Sequence, residues 1–288
     1  MAGDDAAQIG GRDEDWPRRG AVATAALAET WGSLAEVGHD LVTAEWALPT
    51  GCPGWDVKDQ LSHLIGIERM LLGEPTPEWD GPLGAHVKGD FAAMNERWVA
   101  VRRAGTGAAV QAEFVEVTGE RLARLAALSD QEWAEVGFSP VGQVPYAEFM
   151  EVRVFDSWVH EQDVRLALDR PGGSGGLASR LAIDRVQSSM GYVVGKRAAI
   201  PDGNVVRFEV AGPGHDARLF ALGVEGGRAK PAAEGAAPTV TLALSSLDFV
   251  RLGCGRATAA EVGSAGGIGM GGDAATAEQI LGAMNFLF

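Results

Sequence analysis

The spacing of apolar residues changes period near residue 200 of this 288-residue chain, and that change limits its fold more than any other feature. Up to about residue 200 the apolar side chains recur at three- and four-residue intervals, the repeat of one helix face. In residues 20–45, for example, Leu27, Trp31, Leu34, Val37 and Leu41 follow it. After Pro201 the pattern breaks into short runs rich in Val, Leu, Phe and Thr. VVRFEVAG, ARLFALGVEGG and PTVTLALS read as strands parted by Gly and Pro. Such a chain folds as helices first and as mixed α and β afterwards, giving the class α plus α+β.

The helical part resolves into four long segments: 20–45, 57–72, 85–128 with Gly105 and Gly107 offering a break, and 146–168. Four helices of this length make a bundle. Asp56 is suited to cap the second, with Asp59 at N3 near its positive end. SDQEWAEVGFSPVGQVP, between the third and fourth, reads as irregular. PGGSGG at 171–176 is a linker or long turn. A fifth helix follows in LASRLAIDRVQSSMGYVVGKRAA, and SLDFVRLGCG and AATAEQILGAMNFLF read as two more. The expected organisation is a mobile tail over 1–19, a helical bundle over 20–170 and a smaller α+β domain over 171–288.

Charge divides the chain at the same place. Residues 1–170 hold 14 basic and 29 acidic residues, whereas 171–288 hold ten of each, so the whole net charge of −15 lies in the first part. Phosphate binding needs clustered Lys and Arg, so nucleic acid is excluded as an expected partner. The N-terminus is acidic and polar, unlike a secretory leader, and no apolar run reaches the ~18 residues of a membrane span. Two cysteines, Cys52 and Cys254, are too few for a disulfide framework. A cytoplasmic protein, monomeric or a small homo-oligomer, is the expectation.

The run FDSWVHEQDVR places Asp156 four residues before His160 and Asp163 three after it. Those spacings bring a carboxylate, an imidazole and a second carboxylate onto one helix face. Alone the pattern is common. His63, on the otherwise apolar face of the second helix, is by itself more often a satisfied core residue than a ligand. Together, His63, Asp156 and His160 from two bundle helices form a donor set suited to zinc or another first-row divalent ion. Three protein ligands leave a coordination position open, as catalytic sites do. Asp163 reads either as an acceptor that orients His160 or as an ion-pair partner for Arg165, Arg153 or a neighbouring helix. Phe155 and Trp158 read as core, Glu161 and Gln162 as exposed, and Cys52 as a small buried loop residue. His39, His86 and His215 read as surface residues without partners. GGIGMGG near 266–272 lacks the Lys and Ser or Thr of a phosphate loop.

PTGCPGWDVKDQLSHL, then VRVFDSWVHEQDVRLAL, then a glycine-rich break and a strand-rich half ending DAATAEQILGAMNF, resembles the mycothiol-dependent maleylpyruvate isomerase family. That family belongs to the DinB-like metal-binding bundles. Its marks here are the CPGW turn with His63 eight residues beyond Trp55, and the series Trp158, His160, Asp163. The resemblance implies a DinB-like four-helix bundle followed by a sterol-carrier-like α+β domain. It further implies a divalent metal, usually zinc, on His63, Asp156 and His160. The family pattern commonly has Glu where this chain has Asp156, one methylene shorter. An arginine of the C-terminal domain is implied near the site, with Arg251 and Arg256 as candidates for holding a substrate carboxylate. The implied activity uses mycothiol as the thiol partner on a small electrophile. In an isomerase the thiolate adds to an activated C=C bond, the adduct rotates and elimination follows. In an S-transferase the thiol stays on the product. The competing reading is a non-enzymatic protein that binds an apolar ligand in its C-terminal domain; a metal-sensing regulator is a third.

Overall fold

The computed structural model describes residues 15–287. Helix α1 runs over Trp16–His39 and α2 is the single turn Thr43–Trp46. Helix α3 spans Val57–Leu71, α4 Gly89–Ala100 and α5 Gly107–Ala126. After the short α6 (Asp130–Ala134), a hairpin of β1 (Val136–Ser139) and β2 (Gly142–Pro145) leads into α7, Tyr146–Ala167. Helices α1, α3, α5 and α7 form the bundle, with α4 laid on α3. Trp31 of α1 donates its indole N–H to Ser157 of α7 at 3.1 Å, joining two buried faces by a satisfied polar contact.

The second part begins with α8, Leu177–Tyr192, whose last turn relaxes into a π-helical turn over Val193–Arg197. Strands β3 (Val205–Ala211), β4 (Arg218–Glu225), β5 (Arg228–Pro231), β6 (Val240–Ser245) and β7 (Ile268–Gly272) make one sheet in the order β5-β4-β3-β6-β7. Only the β3–β6 pair is parallel. Val206, Phe208 and Val210 alternate inward from β3. Helices α9 (Ser246–Gly253), α10 (Ala259–Ser264) and α11 (Ala274–Gly282) complete the chain. Phe208 and Phe220 stack at 4.8 Å, and Phe249 of α9 meets Phe208 edge-on at 6.0 Å, so aromatic rings fill the space between sheet and helix. Helix α8 touches α1 and α7 on one side and α9 and β5 on the other, so one apolar core runs through both parts. The class is α plus α+β, as the change of period predicts.

Several local expectations are corrected. The first helix starts at Trp16, capped by Asp15, so residues 16–19 are not tail; residues 1–14 lie outside the described part. It ends at His39 rather than running to 45. The 85–128 stretch is two helices separated by a turn. The stretch expected to be irregular holds α6 and a hairpin. GGIGMGG supplies edge strand β7, whose glycines give no alternation to read. No helix among the described residues is long and apolar enough to cross a membrane.

Candidate metal centre

The CPGW turn and helix α3 build one half of the site. Asp56 caps α3 by accepting from the Asp59 amide at 2.8 Å, as expected. Gly54 sits at φ +80°, and a Cβ there would run into the His86 ring, so the turn requires glycine. The turn delivers Trp55 over the buried end of α3. Its ring lies 5.0 Å from that of His63 and 5.8 Å from that of His160, centroid to centroid. Its indole N–H donates to buried Glu96 at 2.9 Å, which also meets His86 at 3.1 Å and Arg103 at 2.6 Å. His86 is therefore a partnered, half-buried residue, contrary to expectation. His39 is exposed as expected, and the His215 side chain lies outside the described residues.

Helix α7 supplies the other half. Its Asp156 and His160 face His63 across the bundle. His63 Nε2 lies 3.3 Å from Asp156 Oδ2, and His160 Nε2 lies 3.5 Å from Asp156 Oδ1. The ligating atoms of all three lie within 4.8 Å of one another, and among the described residues this is the one such group. Donors about 2.0–2.1 Å from a tetrahedral ion stand roughly 3.3 Å apart, close to the two imidazole–carboxylate separations here, although these run to different oxygens of Asp156. The shorter Asp156 still reaches both imidazoles. Its side chain is 30% exposed while those of His63 and His160 are nearly closed off, so access to the cluster is from the carboxylate side.

A directional hydrogen-bond chain sets the His160 tautomer. The Thr50 hydroxyl donates to the Trp55 carbonyl at 2.9 Å, and the Gln60 amide donates to Thr50 Oγ1 at 2.5 Å. That leaves Gln60 Oε1 to accept from His160 Nδ1. Nδ1 then carries the proton, and the lone pair of Nε2 points to His63 and Asp156. Burial, only partly opposed by Asp156, pushes His63 down to about 4, so it is neutral near pH 7 and able to ligate. Burial acts to raise the Asp156 carboxyl, but the Arg153 guanidinium bonded to it outweighs burial and holds the group well below the usual carboxylate range.

Asp163 accepts from Arg256 Nε at 2.8 Å and stands 3.6 Å from His160 Nδ1. Its main partner is thus Arg256, which sequence spacing does not point to. Gln60, not Asp163, makes the direct bond to His160. Glu161 and Gln162, expected to be exposed, are buried: Glu161 faces Ser33 of α1, and both side chains lie against the turn at Gly173. Glu161 bonds Ser33 and Arg165 there. Arg251 pairs with Asp248 at 2.9 Å, and its buried Nε has no partner. A cavity of about 200 Å³, lined by Thr50, Gly51, Asp163, Arg251 and Arg256, opens beside the site; the three candidate ligands do not line it. Cys52 is half-buried, and burial, opposed by Arg256, raises its thiol to about 11, so it is no ready nucleophile. Trp55 stands out in the sequence only as a mark of the family, and neither Thr50 nor Gln60 is singled out there. Gln60 could have been, since it lies three residues before His63 on the same inward face.

Residues 14–165 match the family described as the mycothiol maleylpyruvate isomerase N-terminal domain. The chain belongs to that family. The matched stretch runs from the start of α1 almost to the end of α7, so His63, Asp156 and His160 all lie inside the family's domain. Two solved structures share the fold over nearly the whole chain. One is a mycothiol-dependent maleylpyruvate isomerase, 16% identical, covering 88% of this chain and 92% of that one with a TM-score of 0.51. The other is a histidine-to-alanine mutant of an enzyme so described, 15% identical with the same coverage and TM-score. At such identities the likeness establishes the fold and nothing finer. A sterol carrier protein from Yarrowia lipolytica matches 37% of this chain and 92% of its own at 19% identity, with a TM-score of only 0.27. No curated protein matches the chain.

Proposed function

We propose that this member of the mycothiol maleylpyruvate isomerase family is a metal- and mycothiol-dependent enzyme, an isomerase or S-transferase acting on a small, carboxylate-bearing electrophile. The observation that carries the reading is the convergence of the His63, His160 and Asp156 ligating atoms to within 4.8 Å of one another, close enough to draw onto one divalent ion. Family membership and the shared fold support the thiol partner. Zinc suits two neutral imidazoles and one carboxylate. Bound on these three residues, the ion would supply Lewis acidity and hold a thiol as its nucleophilic thiolate at neutral pH.

The chain's own residues do the rest. Gln60 and Thr50 hold the His160 tautomer, burial keeps His63 neutral, and Trp55 walls both rings off from water. Arg251 and Arg256 line the neighbouring cavity and offer guanidinium groups to a substrate carboxylate there. The apolar-ligand reading gains no such support, since Phe208, Phe220 and Phe249 occupy the space beneath the sheet. Elemental analysis tests the proposal: one equivalent of a divalent metal in the purified protein, lost in His63→Ala and His160→Ala. Mycothiol titration over a panel of electrophiles then separates isomerase from transferase. Metal-free protein, with both variants unchanged in stability, would refute the reading.

A further inference from the structure

Behind Asp156 lies a line of buried charge outside the three candidate ligands. Arg153, one turn earlier on α7, donates from Nη1 to Asp156 Oδ2 at 2.5 Å. Its Nε and Nη2 both donate to Glu68 Oε1 of α3, at 2.9 and 2.7 Å. Glu68 Oε2 accepts from Arg121 Nε of α5 at 2.8 Å, and Arg121 Nη2 meets the Tyr146 hydroxyl at 3.1 Å. Glu68, Arg121 and Arg153 are all shut off from solvent. Glu68 grips two nitrogens of Arg153 and is itself gripped by Arg121, so the guanidinium is locked in place and does not depend on Asp156 for its position.

That placement has an electrostatic consequence. Asp156 is the sole carboxylate of the candidate ligand set, and its charge is already opposed by a cation bonded to one of its oxygens. Only Oδ1, which faces His160, is left without a charged donor. A divalent ion here would meet two neutral imidazoles and a carboxylate that Arg153 cancels, at a distance where buried charges are poorly screened.

We infer that Arg153 is a positioning residue that sets the metal affinity of this site, restricting Asp156 to one free oxygen and weakening the grip on a divalent ion. The retained ion would keep more of its positive charge for a bound thiol. The inference rests on the metal-dependent reading above.

Zinc titration against a chromophoric chelator tests it, on wild type and on Arg153→Met, Arg153→Gln and Arg153→Lys, with folding checked by circular dichroism. Glutamine keeps hydrogen-bonding capacity if methionine disrupts the fold. Both neutral variants are expected to bind zinc at least tenfold more tightly, and the lysine variant to stay within about threefold of wild type. The visible spectrum of the cobalt(II)-loaded protein should be unchanged among them, since the ligands are the same. A folded neutral variant that binds as wild type does, or more weakly, overturns the inference and leaves the metal reading standing. A wild-type protein that binds no divalent ion overturns both.

Discussion

Replacing Asp163 with Asn should destabilise the protein by about 3 kcal/mol, the low end of the cost of breaking a buried ion pair by removing one partner. Asp163 and Arg256 meet at 2.8 Å with side chains only 3% and 7% exposed, so water screens the pair little. The pair links α7 to the segment after α9. Without the carboxylate charge the Arg256 guanidinium keeps only the amide oxygen of the new Asn and a long 3.4 Å contact to the Cys254 carbonyl. Asp163→Ala removes the acceptor as well and should approach 5 kcal/mol. Urea unfolding followed by tryptophan fluorescence and circular dichroism measures both. The double variant Asp163→Leu/Arg256→Met should recover most of the loss, because no unpaired charge remains buried. As a reference, Arg124→Gln breaks the exposed Arg124–Glu132 pair and leaves the α6 cap intact, so it should change stability far less. A cost below about 1 kcal/mol for Asp163→Asn, or a double variant no more stable than either single one, would refute the reasoning.

Gln60→Met removes the acceptor of His160 Nδ1 and should weaken metal binding roughly 10- to 100-fold in a chelator competition, as loss of a partner behind a ligating histidine does. The folded pKa of His63 lies near 4, below the unfolded value of about 6.5, so between these the unfolded state binds more protons. Metal-free stability should therefore be full above pH 6.5 and fall by up to about 3 kcal/mol as pH drops towards 4, with His63→Phe flattening that slope in pH-dependent urea melts. Gly54→Ala forces a side chain into positive φ and against His86, so it should cost more than about 1 kcal/mol, seen as a lowered Tm in thermal melts.

The parts of this protein that could be read from sequence are those written in local spacing. The apolar repeats place α3 and α7 to within a residue or so, and the Asp56 cap is where the side-chain chemistry puts it. His63, Asp156 and His160 are legible because two of them share a helix face and the third stands on an apolar one. Edge strand β7 is not legible, because its run of glycines carries no alternation and its pairing with β6 is set by the sheet. Glu161 and Gln162 look like surface residues until α1 and the turn at Gly173 close over them. Arg153, Glu68 and Arg121 are separated by tens of residues, and no spacing rule links an arginine on α7 to a glutamate on α3. Long-range charge pairing is the piece of the site that only the fold reveals.

The chemistry of His160 is set outside its own helix. The turn that starts α3 carries Thr50, whose hydroxyl is committed to the Trp55 carbonyl and therefore accepts from Gln60. Gln60 must then present its oxygen to His160. Each step is forced by the one before, because an amide that donates from nitrogen has its carbonyl on the other side. The same turn places Trp55 over both imidazoles, and needs glycine at position 54 to do so. Capping, ring shielding and tautomer selection thus depend on one short loop. A disturbance at Gly54 that leaves α7 intact should therefore still disturb the candidate ligand His160 on α7. That coupling gives the Gly54 and Gln60 variants a shared signature: weaker metal binding from changes to side chains that touch no metal.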